Sequence, residues 1–204
     1  MKYFKSLFLL FMGCGFLLVT GCFPTSAYVA RNQYLLDVKT FPMKPAADHR
    51  LTIAINTVSV MAPFNQLSFI YRINEFQYLT DYYHGFASPL SQQFDPLLLN
   101  YGRVFGNFTP VPVYHDLNSS TYRLQPIITY FYADYRDRQH PQAVVSLNLK
   151  LFKKPATLIM DKTFTARIPI QVKDTEHLLL AWDQGLRKVL TEGMKQVSSI
   201  DKKP

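Results

Sequence analysis

Apolar and polar positions alternate most cleanly over AVVSLNLKLF, where Ala143, Val145, Leu147, Leu149 and Leu151 share one face while Ser146, Asn148 and Lys150 lie on the other. A period of two predicts a half-buried strand. On either side, TYRLQPIITYFYADYR and TLIMDKTFTARIPI are rich in β-branched and aromatic residues, and DRQHPQ and Lys153-Lys154-Pro155 separate the three segments with turn chemistry. The last segment places Leu158, Met160, Phe164, Ala166 and Ile168 together, and the three predict an antiparallel meander. The period then changes, because Leu178, Trp182, Leu186, Val189 and Val197 recur at helical spacing behind Asp174 or Thr175 as a cap. That helix is predicted to reach about Val197 and to pack on the sheet.

The first half reads less regularly. YLLDV, Tyr34 to Val38, predicts a short strand, and FPMKPAADHR after it a loop with two prolines. LTIAINTVSV predicts a strand whose apolar side switches midway, which calls for a bulge or twist. FIYRINEFQYL predicts two short strands around Ile73-Asn74-Glu75. Ser88 caps a predicted helix with Pro89 at its first position, running to about Tyr101 and stopped by Gly102. Pro96 lies inside it, so a kink or a broken first turn is expected. The fold class is α+β: one domain, with a largely antiparallel sheet and two main helices packed on one face.

The N-terminus has a different texture. Lys2 and Lys5 precede the apolar stretch Ser6 to Val19, the layout of a secretory signal peptide. Its end, LVTGC, resembles a bacterial lipobox, which makes Cys22 the lipidation site, carrying acyl chains that hold the protein on a bilayer. Phe23 after the cysteine, where aspartate is absent, implies sorting to the outer membrane. Cys14 fits the pattern less well, since Phe11 and Met12 precede it. An uncleaved spanning anchor is the other reading; it needs about 20 predominantly apolar residues, and Gly13, Gly15, Gly21 and Pro24 interrupt the run. The expected organisation is a signal peptide over 1–21, a lipidated tether over 22–33, a periplasmic domain over 34–198 and a tail over 199–204.

Composition narrows the picture. Removing residues 1–21 from the 204 leaves 183, enough for one full core. Both cysteines, Cys14 and Cys22, fall in the targeting region, so the folded part has no disulfide framework and no cysteine metal site. The 16 Phe and 13 Tyr predict an aromatic-rich core. The formal charge of +8 becomes +6 without Lys2 and Lys5, a balance that fits an anionic membrane surface or an acidic partner, not nucleic acid, in an exported protein.

Catalytic patterns are missing from the sequence: there is no G-x-S-x-G elbow, no H-E-x-x-H and no phosphate loop. His49, His84, His115, His140 and His177 read as isolated surface or capping residues. No catalytic residue, metal ligand or cofactor is assigned. Tyr82-Tyr83-His84 beside Asp81 is a candidate binding surface. Asp134 to Arg138 reads as a charged hairpin tip that discourages edge pairing. ITYFYADY has the look of a stacking platform for single strands, but behind an export signal, core or interface aromatics are the better reading.

Taken together, the lipobox ending at Cys22, RNQYLLDV after it, LTIAINTVSVMAPF, the FIYRINEFQYL pair, FASPLSQQF and the Leu180 to Leu186 helix resemble the ABC-type transport auxiliary lipoprotein family, which accompanies MCE-domain lipid transport systems such as the paraquat-inducible one. The match covers about residues 22–197 and lies in the order and spacing of the segments. Phe86 stands where the family commonly has tryptophan, and Pro96 interrupts the following helix. The resemblance implies an α+β domain without enzymatic activity at the outer membrane, facing the periplasm, docked to an MCE-domain protein, with a homo-oligomeric ring as a possible assembly. A structural lipoprotein of a secretion or pilus machine and an envelope hydrolase are the alternatives.

Overall fold

The computed structural model describes residues 30–36, 51–105, 108–114 and 120–200. Cys22, the signal peptide, His49 and His115 lie outside the described residues. Long strands come first in the energetic order. β7 (Tyr122–Asp134) pairs antiparallel with β8 (Gln142–Lys153) along its whole length, and β8 pairs the same way with β9 (Thr157–Pro169). This is the predicted meander.

The other edge of β7 is covered piecewise. β2 (Thr52–Ile55), β3 (Ser59–Val60) and β4 (Ser68–Arg72) dock in succession along it, each parallel to it, through Ile53↔Tyr122, Ser59↔Ile127 and Tyr71↔Ala133. The segment read as one strand with a bulge is therefore two strands, and the surplus residues before β4 loop out. Pro126 explains the first gap. Leu124 and Ile128 accept from Asn56 N–H (2.9 Å) and Met61 N–H (2.9 Å) on this edge. Position 126 turns its nitrogen to the same edge, where β2 has ended and β3 has not begun, so the missing donor costs no ladder bond.

Three further strands extend the sheet beyond β4 and β2. β5 (Tyr78–Phe86) is antiparallel to β4, and β1 (Asn32–Tyr34) adds in parallel beyond it. β1 starts inside the predicted tether, and Leu35 and Leu36 follow it outside any strand. β6 (Thr109–Pro112), parallel to β2, was not anticipated because TPVP is proline-rich. Thr109 and Val113 donate to Leu51 and Ile55 (2.8 and 2.9 Å), while the intervening prolines sit on an edge strand, where a ladder tolerates them. The fold is thus α+β with a mixed sheet, its longest pairings antiparallel and its short ones largely parallel.

Two helices cover one face. α1 (Leu90–Phe105) is continuous through Pro96, with its first turn intact. Its first bonds run to the Pro89 carbonyl, from Gln92 (3.0 Å) and Gln93 (3.3 Å), so Pro89, not Ser88, stands at the cap. Gly102 does not end the helix either; a Cβ there would lie 3.1 Å from the Pro110 side chain, so the glycine lets α1 approach β6. α2 (Thr175–Ser198) begins as predicted, with the Asp174 carboxylate accepting from His177 N–H at 2.8 Å. Gly185 and Gly193 bring it close to Val145 and Leu149 of β8.

Trp182 fills the centre. It is fully buried, stacks on Phe131 at 4.9 Å, meets Phe69 edge-on at 5.0 Å, and donates Nε1–H to the Tyr132 carbonyl at 3.3 Å. β8 proves buried on both faces, contrary to its alternating pattern: Ser146 is 0% and Asn148 9% exposed. Ser146 is satisfied laterally by Thr129 and Thr165 (2.9 Å each), and Asn148 donates Nδ2–H to Asp161 (2.8 Å) and Thr163 (3.0 Å), while its Oδ1 is buried without a protein partner. Leu158, expected with Phe164, is half-exposed because the β8–β9 register shifts beside it.

Candidate functional site

The residues Asp81 to His84 swell out of β5. Ser68 pairs with Gly85 and Ile70 with Thr80, so β5 carries extra residues opposite one step of β4. Asp81 causes the bulge locally: its Oδ1 accepts from the N–H groups of Tyr83 (2.7 Å) and His84 (3.1 Å), an aspartate's usual alternative to ladder pairing. Its Oδ2 accepts from the Tyr71 hydroxyl (2.6 Å) and faces His84 Nδ1 (2.9 Å). The sequence-predicted Tyr82 and Tyr83 are thereby thrown outward, 83% and 56% exposed, while Asp81 and His84 turn inward.

Inward lies a cleft of about 460 Å³ between β4, β5, the turn after β7 and the start of α2. Tyr71, Ile73, Leu79, Tyr135 and Leu178 form its apolar walls, and Arg138 and Lys173 stand at it as exposed cations. A second groove, of about 810 Å³, lies across the first turn of α2, lined by Leu35, Leu36, Leu179 and Leu180 beside Glu176 and Asp183. Asp174 and Thr175 border both.

Electrostatics at the cleft is set by saturation of one carboxylate. Burial opposes the charge on Asp81, yet the donors from Tyr71, Tyr83 and His84 hold its carboxyl below the ordinary value. Tyr71 moves the other way, pushed far up by burial and by its bond to Asp81, so its hydroxyl stays protonated and donating. With four donors on Asp81, the carboxylate is held as an acceptor that clamps the bulge at the wall of the cleft.

One spacing was overlooked at the sequence level. Asp81 and His84, Asp137 and His140, and Asp174 and His177 repeat the pattern D-x-x-H, and in each the aspartate accepts from the histidine's backbone N–H and faces its Nδ1 at 2.8 to 2.9 Å. The described histidines are therefore not isolated; each belongs to an aspartate-built turn or cap. Among the described residues, no group of His, Cys, Asp and Glu could hold a metal ion.

Asp134 to Arg138 is only partly the exposed tip it was read as. Asp134 is 7% exposed and grips Arg136 Nη2 at 2.8 Å, with Arg167 at 3.7 Å. Arg136 also pairs with Glu75, which bonds Arg72. Burial again opposes the charge, and Arg136 holds the Asp134 carboxyl below its ordinary value.

No family model matches this chain, and no curated protein matches it either. Solved structures do. A DUF330 protein from Xanthomonas campestris superposes with a TM-score of 0.66 at 19% identity, over 85% of this chain and 95% of its own. A second structure, of an uncharacterized protein, gives 0.63 at 17% identity over 84% and 99%. A hypothetical protein from Chlamydia trachomatis gives 0.50 at 10% identity over 73% and 96%. At these identities what is shared is the fold: one domain of α+β architecture spanning nearly all of each neighbour.

Proposed function

We propose that this protein is a lipid-anchored, non-enzymatic auxiliary component of an ABC/MCE-type intermembrane lipid transport system, held at the outer membrane, facing the periplasm and docking an MCE-domain protein there. The observation that carries the reading is LVTGC, ending at Cys22, directly ahead of one α+β domain. A short lipidated tether keeps such a domain at one bilayer and raises its effective concentration near a partner projecting from the other. The saturation of Asp81 favours a docking role over a chemical one, and the sequence resemblance supplies the partner class and the expectation of a homo-oligomeric ring.

The test is a crosslinked pull-down of the tagged protein from solubilised envelopes, with protein and lipid mass spectrometry on one eluate. Recovery of an MCE-domain protein with permease or ATPase subunits is the expected result. Secretion or pilus components without any transporter would move the protein to a structural role. Cys22→Ala is expected to accumulate as a slower-migrating precursor; normal maturation of that variant refutes the anchor.

A further inference from the structure

The β4–β5 hairpin ends in a tip that is rigid and yet displays an aromatic ring. Asn74 Oδ1 accepts from Phe76 N–H (3.0 Å) and Gln77 N–H (2.8 Å), Ile73 N–H donates to the Gln77 carbonyl (3.1 Å), and Arg72 Nη2 donates to the Glu75 carbonyl (2.9 Å). Glu75 is tied from outside by Arg136. On this framework Phe76 is 93% exposed, more than any other exposed large hydrophobic residue described. A floppy tip could fold such a ring back, whereas this one holds it out.

The same end of the sheet gathers further features of one kind. The turn after β7 lies beside the hairpin, since Tyr135 N–H donates to the Arg72 carbonyl at 2.8 Å. The loop before α2 joins them, bonded through Ile170 N–H to Pro141 (2.9 Å), and carries Val172, 50% exposed. Most acids here are engaged internally: Glu75 and Asp134 with arginines, Asp81, Asp137 and Asp174 with histidines. Arg138 and Lys173 have no ion-pair partner among the described residues, and at this end of the sheet Glu176 is likewise without one.

Chain direction selects the occupant. β1 runs parallel to β5, with Asn32 opposite His84 and Tyr34 opposite Phe86, and β5 itself starts from the Phe76 hairpin. Going backwards from Asn32, the chain therefore heads toward the Phe76 end. Ten residues separate Cys22 from Asn32, a reach of about 35 Å when fully extended. By the β1–β5, β5–β4 and β4–β7 registers Asn32 stands closer to the Asp134 end of β7 than to its Tyr122 end, so the Phe76 end is the one the tether reaches first.

We propose that this end is the face the domain lays against the bilayer that carries its own anchor, with Phe76 entering the headgroup region and Arg138 and Lys173 on lipid phosphates. The inference rests on the lipid-anchor reading of Cys22. An exposed aromatic ring beside unpaired cations has the elements of a membrane-interface contact, and because Glu75, Asp137, Asp174 and Glu176 are exposed at the same end, contact with phosphate is confined to these two side chains.

Phe76→Trp, in the full mature protein reconstituted in vesicles containing phosphatidylglycerol, tests it by quenching with brominated lipids. The buried Trp182 gives a constant baseline in the unsubstituted protein, and Leu158→Trp, at the opposite end of the sheet, is the control. Quenching is expected at position 76 and not at 158, and the docked population should fall roughly fivefold for each of Arg138→Glu and Lys173→Glu. Equal or absent quenching at both positions overturns the proposal. Intact-mass measurement of the same preparation reads acylation separately: an unacylated protein refutes the anchor, and the quenching pattern still decides the contact.

Discussion

Replacing Asp81 by asparagine removes one charge and two acceptor sites from the bulge without changing its volume. The amide oxygen can still take the N–H groups of Tyr83 and His84, but the amide nitrogen then faces the Tyr71 hydroxyl, which now donates to Asp81 at 2.6 Å from a half-buried position. Losing a hydrogen bond to a charged group costs about 1.5 to 3 kcal/mol, and orphaning a buried donor falls in the same range. Asp81→Asn is therefore expected to lose about 2 kcal/mol at neutral pH. The folded-state carboxyl titrates below the ordinary 3.8, so its contribution is present above that value and is lost as pH falls through the lower folded one. Urea unfolding, followed by the single tryptophan, Trp182, at pH 7 and across the acid range tests both parts. The two proteins should differ at neutral pH and converge in acid. A difference under about 0.5 kcal/mol at pH 7, the scale of an ordinary surface substitution, would refute the clamp, and so would a gap that persists unchanged in acid.

Trp182→Ala should cost about 3 to 5 kcal/mol, read as a lowered urea midpoint by far-ultraviolet circular dichroism; a midpoint within error of the parent would disprove the central role given to this ring. At Gly85 an added Cβ would lie 2.6 Å from the Leu67 carbonyl oxygen, a backbone atom that cannot swing away. Gly85→Ala should therefore lose about 1 to 3 kcal/mol in the same assay, and a neutral result would mean that β4 and β5 separate freely at this point.

Period-two alternation located β8 and β9, and helical spacing behind Asp174 located α2, because these elements are long and each turns a consistent apolar face to one layer. The first half resisted for identifiable reasons. β2 and β3 are short pieces of a line that follows β7, and their sides are decided by a partner far along the chain. Pro110 and Pro112 argued against a strand that exists only because it lies on an edge. Gly102 carried a stop signal that close packing against Pro110 overrode. Asp134 looked like a tip residue because its burial is not visible in the letters: its main partner, Arg136, is two residues away within the same charged run, and only the weaker contact to Arg167 is distant in sequence. At the site, Asp81 and His84 were noticed only as neighbours of two tyrosines; the recurrence of D-x-x-H was visible in the letters, whereas the reach of Tyr71 to Asp81 was not.

The piecewise docking of β2, β3 and β4 on β7 has a consequence for how the molecule is made. Synthesis proceeds from the N-terminus, yet β3 waits for a partner whose first residue is Tyr122, and β2 and β4, which can pair earlier with β6 and β5, keep one edge open until then. The meander β7–β8–β9 closes on itself through short turns and with low loop-closure entropy. Assembly is therefore expected to run against the order of emergence, with the later half organising first and the open edges of the earlier half in need of shielding until their template arrives.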